Sequence, residues 1–289
     1  MTASPGEPGT PAPPPPPLAA GDPPLAFLVD YDGTIALTDV SDTVMAEHVT
    51  GFWEALATDY DAGLTGSRRL MEREMAMLRA EPADLLATAA AQPHDEGFVD
   101  LARRAREARI PVEIVSDGFG FFIEPALVAL GVGGLPVVTA STTFEGDRAT
   151  IEFPNGHPSC FVCGTCKRER VLAHQAAGRA VVFVGNGESD RYAAGYADVV
   201  FAKDALVRIC LESGWPFRRW TTFSEIDAWL AETLEAWAAD AAGPASLGPR
   251  RRPFICGPEV WGDGRWDPPP TRARPAVASV DLDEGLTPG

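Results

Sequence analysis

The chain has 289 residues and carries 24 Lys and Arg against 41 Asp and Glu, which gives a net charge of −17. So large a negative charge excludes a nucleic-acid binder that works by neutralising phosphates. It does not exclude an enzyme for an acidic substrate, provided that the protein holds a metal ion. No apolar run approaches the ~18 residues that a membrane helix needs, and the N-terminus lacks the basic start and apolar stretch of a secretory signal. The sequence therefore predicts neither nucleic-acid nor membrane partners, and it leaves the oligomeric state open.

Proline divides the chain into three parts. Of the 27 prolines, 10 lie in residues 1–24 and 9 in residues 241–289, which leaves 8 for one globular unit over residues 25–240. We expect the first tail to be a disordered or polyproline II segment in solvent. The second tail is expected to be partly packed or disordered. It carries three aromatic residues that are unusual for disorder: Phe254, Trp261 and Trp266.

The cysteines indicate a reducing compartment. There are five, an odd number, and three of them are crowded at positions 160–166. A secreted fold held by disulfides is therefore not expected, and the cytoplasm is the predicted location. Cys210 falls on an apolar helix and is expected in the core, and Cys256 lies in the second tail.

The first predicted elements are a strand and a group of helices. The apolar run Leu25–Val29 predicts a buried strand that ends in a polar loop. A helix capped by Ser41 or Asp42 is then expected to continue as far as Leu56. A second helix opens at Ser67, and a third covers residues 83–91. Five residues fall at helical spacing on the second helix: Leu70, Met71, Glu74, Met75 and Leu78.

From residue 98 onward, helices and strands alternate. Strands are predicted at 111–115, 180–184 and 199–201, helices at 122–130, 168–177, 189–196 and 224–239, and a small hairpin at 142–153. This alternation predicts an α/β fold with a Rossmann-like parallel sheet and helices on both faces. In such sheets, ligands bind beyond the carboxyl ends of the strands.

Three predicted strands end in polar or glycine-rich clusters, which are expected to meet in one crevice. Asp30 and Asp32 follow the first, Ser116 and Gly118 the second, and Gly185–Asp190 the third. In a carboxylate pair, one member can attack while the other transfers protons. The alternative is a pair of surface acids in a turn. Glycine permits close backbone approach in the third cluster, and Asp190 is a ligand type for a hard cation.

Together with Lys167, these clusters form four motifs in an order that resembles the haloacid-dehalogenase-like hydrolase superfamily. The resemblance covers about residues 25–240. The helical insert 37–94 is similar to the C1-type cap of the phosphoserine-phosphatase branch, with residues 25–36 and 95–240 as the core. The loop Cys163-Gly164-Thr165-Cys166-Lys167 resembles that of bacterial methionine-salvage phosphatases, which act on 2-hydroxy-3-keto-5-methylthiopentenyl-1-phosphate.

The resemblance implies a mechanism of phosphoryl transfer. Asp30 is then the nucleophile that forms an aspartyl-phosphate, and Asp32 protonates the leaving alkoxide and later activates water. An acid at position 32 favours phosphoryl transfer, since the dehalogenases of the superfamily lack it. The residues expected to bind substrate are Thr34, Ser116, Asp117, Gly118, Lys167 and, from the cap, Arg68. For Arg68, a solvated helix face is the alternative.

The resemblance also implies a Mg²⁺ site formed by the Asp30 carboxylate, the Asp32 carbonyl, Asn186 and Asp190. The chain departs from the superfamily at Asn186, where the fourth motif usually begins with Asp. Asn keeps an oxygen ligand but removes a charge. Either Mg²⁺ binds more weakly for this reason, or Asp190 carries the site.

Four soft ligands precede Lys167, namely His157, Cys160, Cys163 and Cys166. They are expected to form a loop that shapes the approach to Lys167, to bind structural Zn²⁺, or to form a redox pair.

The sequence therefore predicts a Mg²⁺-dependent phosphatase for a small phosphorylated metabolite. Two alternatives are a phosphotransferase that uses the same intermediate and a non-catalytic relative whose Cys loop binds metal or senses redox state. The sequence does not name the substrate.

Overall fold

Parallel strands form a six-stranded sheet in the order β3-β2-β1-β6-β7-β8. The computed structural model describes residues 9–61, 64–158, 160 and 162–239. The strands are β1 Leu25–Val29, β2 Val112–Val115, β3 Val137–Val138, β4 Ser141–Glu145, β5 Arg148–Glu152, β6 Ala180–Gly185, β7 Val199–Ala202 and β8 Arg218–Arg219. The helices are α1 Val40–His48, α2 Trp53–Asp61, α3 Ser67–Met77, α4 Pro82–Ala90, α5 Gly97–Glu107, α6 Ile123–Ala129, α7 Lys167–Ala176, α8 Arg191–Ala194, α9 Asp204–Ser213 and α10 Phe223–Ala239.

The sheet is buried on both faces, as its apolar strands predict. β1 is fully buried and lies between β2 and β6, paired in parallel with both. Phe27 and Val29 belong to one apolar cluster, whereas Leu28 belongs to another on the opposite face. The predicted α/β fold with helices on both faces is confirmed. From β1 the chain first builds one side of the sheet and then the other, so the carboxyl end of β1 lies at the topological switch point.

The insert between β1 and α5 consists of four helices, α1 to α4. Its two ends meet where Ala36 and His94 pair as an antiparallel bridge. The predicted single helix from residue 41 to 56 is wrong, because α1 ends at His48 and the chain turns through Gly51 with φ 129° before α2 begins. The N-cap of α1 is Asp39, whose side chain accepts a hydrogen bond from the backbone N–H of Asp42 at 2.9 Å.

Strands β4 and β5 form the predicted hairpin, separate from the main sheet. The guanidinium of Arg68 on α3 lies over the ring of Phe153, 4.9 Å from its centroid, which joins the helical insert to the end of this hairpin. The short strands β3 and β8 were not predicted, since two residues are too few to show a period in the sequence.

The described part of the first proline-rich tail packs on the core, contrary to the solvated tail predicted. The backbone N–H of Ala12 donates to Asn155 Oδ1 at 2.8 Å, and that of Leu18 donates to the carbonyl of Ala177 at 2.9 Å. Arg179 donates to the carbonyl of Pro16 at 2.6 Å. Proline lacks an N–H but keeps its carbonyl, so arginine donors can hold such a segment.

The second proline-rich tail, with Cys256 and the aromatic residues Phe254, Trp261 and Trp266, lies outside the described residues. Within the described residues, no helix combines the length and the apolar composition needed to cross a bilayer.

A buried ion pair joins the sheet to α7. Glu113, 5% exposed on β2, accepts two hydrogen bonds of 2.6 Å from Arg170 and lies 3.4 Å from His174 Nε2. Burial alone would raise the pKa of Glu113, but the hydrogen bonds from Arg170 and His174 outweigh it and hold the pKa below the ordinary value of 4.5. The ion pair therefore stabilises the fold fully above that pH, and this stabilisation is lost as the pH falls through the folded-state pKa.

We predict that Glu113→Gln lowers the free energy of unfolding by about 3 kcal/mol at pH 7, because it leaves the Arg170 charge buried without its partner. The difference in the free energy of unfolding between wild type and variant should be smaller at pH 4, where the Glu113 carboxylate begins to be protonated in the unfolded chain. Urea unfolding at both pH values measures it. Asp100→Asn is the control, because Asp100 pairs with Arg103 on the exposed face of α5 and should change stability by less than about 1 kcal/mol. A difference that grows at pH 4 would contradict the prediction.

Candidate active site

The carboxyl end of β1 leads directly into a single wide helical turn, Tyr31–Ile35, which carries Asp32 back towards the strand end. Gly33 in this turn has φ 65°, a left-handed conformation that glycine adopts without strain. A Cβ at Gly33 would also lie 2.2 Å from Asn186 Nδ2. Position 33 therefore requires glycine for two reasons, and the turn brings the β1 and β6 loops into contact.

Lys167 lies at the centre of the site. Its Nζ is 2.7 Å from Asp30 Oδ1, 2.7 Å from Asp190 Oδ1 and 3.0 Å from Ser189 Oγ, and its side chain is 1% exposed. Burial would lower the pKa of Lys167, but Asp190 and Asp30 together outweigh it and raise the pKa above its ordinary value. The ammonium thus stays charged and joins α7 to the ends of β1 and β6.

Asp30 is 4% exposed and has a perturbed pKa. Burial, followed by the nearby Asp190, raises the pKa of Asp30 to about 7, against the opposing effect of Lys167. Among the described residues, Lys167 is the one ammonium that contacts this buried carboxyl group, so additional positive charge from a bound ligand would stabilise its ionised form.

Asp190, predicted as a metal ligand, is engaged by groups of the protein itself. Its Oδ1 accepts from Lys167, and its Oδ2 accepts from the backbone N–H groups of Asn186 and Gly187 at 2.8 and 2.9 Å. Both oxygens are therefore engaged within the protein. The carboxylate orients Lys167 and folds the β6 loop.

Asn186 is held by Thr34. The Thr34 hydroxyl donates to Asn186 Oδ1 at 3.0 Å, and Thr34 itself is fully buried. A carbonyl oxygen has two lone pairs, so Oδ1 keeps acceptor capacity beyond this bond. Thr34 was predicted to bind substrate, but the structure places it behind Asn186.

Asp32 faces the start of the helical insert. Its Oδ1 accepts from the Val40 backbone N–H at 2.9 Å, and its Oδ2 lies 3.4 Å from Ser41 Oγ. Burial, and then the charges of Asp39 and Asp30, raise the pKa of Asp32 well above its ordinary value. A carboxyl group with a raised pKa holds its proton more firmly than an ordinary Asp, which suits a proton donor.

The loop after β2 completes the core side of the site. The Ser116 hydroxyl is fully buried and accepts a 3.2 Å hydrogen bond from the Gly118 backbone N–H. A Cβ at Gly118 would lie 2.4 Å from Asp32 Oδ2. Any residue other than glycine at position 118 would therefore displace the Asp32 side chain.

Asp117 links three segments. One oxygen accepts from Ser67 Oγ at the start of α3, and the other accepts from the Thr165 backbone N–H at 2.8 Å. Burial raises the pKa of Asp117 to about 6, and the Ser67 hydrogen bond and Lys167 oppose this shift. Asp117 was predicted to bind substrate; it lines the cavity, and its side chain also ties the helical insert and the Cys loop to the sheet.

These side chains surround one cavity of about 230 Å³ between the strand ends and the helical insert. Asp30, Asp32, Ser116 and Gly118 line it as predicted, with Asn186 on the β6 side. Three residues predicted to bind substrate are not on its wall: Thr34 and Lys167 lie behind it, and Arg68 contacts the hairpin instead.

The insert contributes wall residues that the sequence did not single out as functional. They are Asp39, Ser41, Asp42, Ala57, Tyr60, Ser67, Leu70, Met71 and Glu74. Glu74 was noticed only as a member of an apolar helical stripe. A carboxylate in such a stripe is itself a signal, because acids are seldom fully buried without a partner.

The Cys loop contacts the start of α3. The Val162 carbonyl accepts from the Arg68 backbone N–H at 3.1 Å, and the Cys166 backbone N–H donates to the Asn155 carbonyl at 2.9 Å. Cys160, Cys163 and Cys166 are thiols not joined in disulfides, and His157 lies 3.9 Å from Glu169. In the described segments, no three His, Cys, Asp or Glu side chains are arranged to hold a metal. The loop contacts α3 and leads into α7, and its roles in shaping the approach to Lys167, in binding Zn²⁺ or in redox chemistry stay predictions.

Comparison with known proteins finds relatives that are named as phosphatases. The chain is 27% identical to a 2-hydroxy-3-keto-5-methylthiopentenyl-1-phosphate phosphatase of Brevibacillus brevis over 70% of this chain and 93% of the relative. It is 28% identical to the phosphatase of that name from Geobacillus thermodenitrificans, again over 70% and 93%.

Among solved structures, a substrate-bound phosphoserine phosphatase matches 74% of this chain and 98% of its own with a TM-score of 0.55 and 16% identity, which shows a shared fold. The family model for haloacid dehalogenase-like hydrolases matches residues 27–195, more than half of the chain. This protein therefore belongs to the haloacid dehalogenase-like hydrolase family, as the four motifs at the strand ends predict.

Proposed function

We propose that this protein is a Mg²⁺-dependent phosphatase that hydrolyses a small phosphomonoester through an aspartyl-phosphate at Asp30. The observation that carries the proposal is the arrangement of two acids in one cavity. Asp30 is held by the buried ammonium of Lys167, and Asp32 lies beside it with a pKa that favours the protonated form. Relatives named as phosphatases support the same reaction class.

In the proposed reaction, an Asp30 oxygen attacks phosphorus and the bond from phosphorus to the substrate oxygen breaks. Asp32 donates its proton to the departing alkoxide, then takes a proton from the water that hydrolyses the phosphoenzyme. Backbone N–H groups after Ser116 bind phosphoryl oxygens, and Lys167 offsets the charge that collects there. The helical insert covers the cavity and excludes bulk water.

The Mg²⁺ site is proposed at Asp30, the Asp32 carbonyl and the Asn186 amide. These are hard oxygen donors at one edge of the sheet, and thiolate or imidazole is not among them, which fits Mg²⁺. The Asp190 oxygens are engaged elsewhere, so we assign Asp190 to Lys167 and the β6 loop rather than to the metal. When bound, Mg²⁺ supplies positive charge for the phosphoryl oxygens.

We propose 2-hydroxy-3-keto-5-methylthiopentenyl-1-phosphate as the first substrate to test, because the relatives are named as phosphatases of this compound. The cytoplasm stays the predicted location. A phosphotransferase with the same intermediate differs only in the acceptor, and a non-catalytic role is disfavoured by the intact Asp30 and Asp32 pair.

We expect the wild-type protein with Mg²⁺ to release phosphate from an aryl phosphate. Asp30→Asn, which removes the nucleophile, should lower kcat by at least about 10³-fold. Rapid quenching with labelled substrate should trap a phosphoenzyme in wild type and none in the variant. Asp100→Asn, on the exposed face of α5, serves as the control and should match wild type. If wild type and Asp30→Asn release phosphate at the same rate, the result would contradict the proposed reaction and favour the non-catalytic role.

Asn186→Asp should tighten Mg²⁺ binding by about tenfold, because it adds a charge to an oxygen ligand. Calorimetric titration with Mg²⁺ measures the affinity directly, and the Mg²⁺ dependence of phosphate release gives a second readout. Asn186→Ala should change both in the opposite direction. If Asn186→Asp leaves Mg²⁺ binding unchanged or weaker, Asn186 is not at the metal.

Gly118→Ala should lower kcat/KM by about 10²-fold, because the added Cβ displaces Asp32 from its position. Stability should change little. Gly133→Ala provides a control for the effect of alanine itself, since its Cβ meets the exposed Val128, with the closest contact at the end of that side chain. If Gly118→Ala has the kinetic constants of wild type, the reaction does not require the present position of the Asp32 side chain.

A further inference from the structure

A carboxyl group lies buried without a partner in the wall that α3 contributes to the cavity. Glu74 is 3% exposed and lines the cavity beside Leu70 and Met71. Within the described residues, its Oε1 has no hydrogen-bond partner. A buried polar atom without a partner destabilises the free protein, so a ligand that supplies the missing hydrogen bond is favoured.

The charges around the cavity restrict what this ligand can be. The described residues on its wall include seven acids and no Lys, Arg or His: Asp30, Asp32, Asp39, Asp42, Glu74, Asp117 and Glu188. Lys167 is buried against Asp30 and Asp190 at the strand ends and is not part of the cavity wall. A substrate carboxylate directed towards the insert would therefore meet like charge without a cation to pair with.

The protonation of Glu74 indicates which groups it can bind. Burial, and then the charges of Asp42 and Asp39, raise the pKa of Glu74 to about 8. Near neutral pH the group is mostly an uncharged carboxyl, which offers one O–H donor as well as acceptor oxygens. Such a group can donate to a carbonyl and can exchange hydrogen bonds with a hydroxyl.

The wall beside Glu74 includes apolar side chains. Ala57, Leu70 and Met71 offer no hydrogen-bonding side chains, although they can pack against methylene groups. Of the buried side-chain atoms that lack a hydrogen-bond partner within the described residues, Glu74 Oε1 is the one that belongs to a residue of the cavity wall. This leaves Glu74 to decide between substrates of equal size.

We propose that Glu74 is a specificity-determining residue, whose carboxyl group hydrogen-bonds to an uncharged hydroxyl or carbonyl oxygen on the carbon skeleton of the substrate while the surrounding acids exclude a substrate carboxylate. The inference rests on the proposed phosphatase function. It selects oxygenated, carboxylate-free phosphomonoesters.

The test compares three phosphomonoesters built on three carbons. Glycerol 3-phosphate and n-propyl phosphate differ in two hydroxyls, and 3-phosphoglycerate carries a carboxylate in place of the terminal hydroxymethyl group of glycerol 3-phosphate. For the full chain with Mg²⁺ at pH 7, we expect kcat/KM for glycerol 3-phosphate to exceed that for each of the others by about tenfold, the value of one well-placed hydrogen bond.

Four variants with substitutions in α3 test whether Glu74 causes the preference for glycerol 3-phosphate. Glu74→Leu and Glu74→Met should lower kcat/KM about tenfold for glycerol 3-phosphate and leave n-propyl phosphate within about twofold. Glu74→Gln keeps a donor and an acceptor and should retain the preference for glycerol 3-phosphate. Glu72→Leu is the matched control, because Glu72 lies on the same helix with its side chain 54% exposed.

Calorimetry on Asp30→Asn protein, with and without Glu74→Leu, measures the same preference as binding, without turnover. Failure of the proposed function appears as no phosphate release from any compound, while the binding preference remains measurable. The role of Glu74 is overturned if Glu74→Leu changes glycerol 3-phosphate and n-propyl phosphate equally. It is also overturned if wild type favours 3-phosphoglycerate over glycerol 3-phosphate.

Discussion

A single buried ammonium holds the candidate site together. Lys167 is almost fully removed from solvent, and a charge so placed is tolerated only with close partners of opposite sign. Asp30 and Asp190 are those partners, at 2.7 Å each. Because they follow β1 and precede α8, the ion pairs fix the start of α7 against two neighbouring strand ends. The position of the proposed nucleophile thus depends on a lysine that does not line the cavity.

The same constraint accounts for the contacts of Asp190. One of its oxygens accepts from the buried Lys167 ammonium, and the other accepts from the backbone N–H groups of Asn186 and Gly187 after β6. Asn186, held by Thr34, is one of the side chains of this loop that line the cavity with an oxygen.

The helical insert depends on the core through a few polar contacts. The Ser67 hydroxyl at the start of α3 donates a hydrogen bond to Asp117 and, more weakly, to the Val162 carbonyl in the Cys loop. Hydrogen bonds through Ser67 therefore connect the insert to the end of β2 and to the Cys loop. Ala36 and His94 close the base of the insert. Through this attachment, α3 presents Leu70, Met71 and Glu74 to the cavity. The cysteines precede Lys167 in a segment whose backbone, rather than its thiols, makes these contacts.

The sequence by itself determined the order of strands and helices, the class of fold and the residues at the strand ends. It could do so because a buried parallel strand is a continuous apolar run and because its carboxyl end faces the ligand side of the sheet. Asp30, Asp32, Ser116 and Gly118 were found in this way. Lys167 was predicted from the order of motifs in the superfamily that the sequence resembles, and this order does not reveal that it lies behind Asp30.

Only the tertiary structure decided which side chains share a hydrogen bond or a wall. The break between α1 and α2, the packing of residues 12–18 on the core, the contact of Arg68 with Phe153 and the place of Glu74 in the cavity all depend on segments far apart in the chain. Local periodicity places Glu74 on the inner face of a helix without saying what lies opposite. The partner of a buried polar group is set by long-range packing, which a one-dimensional pattern does not contain.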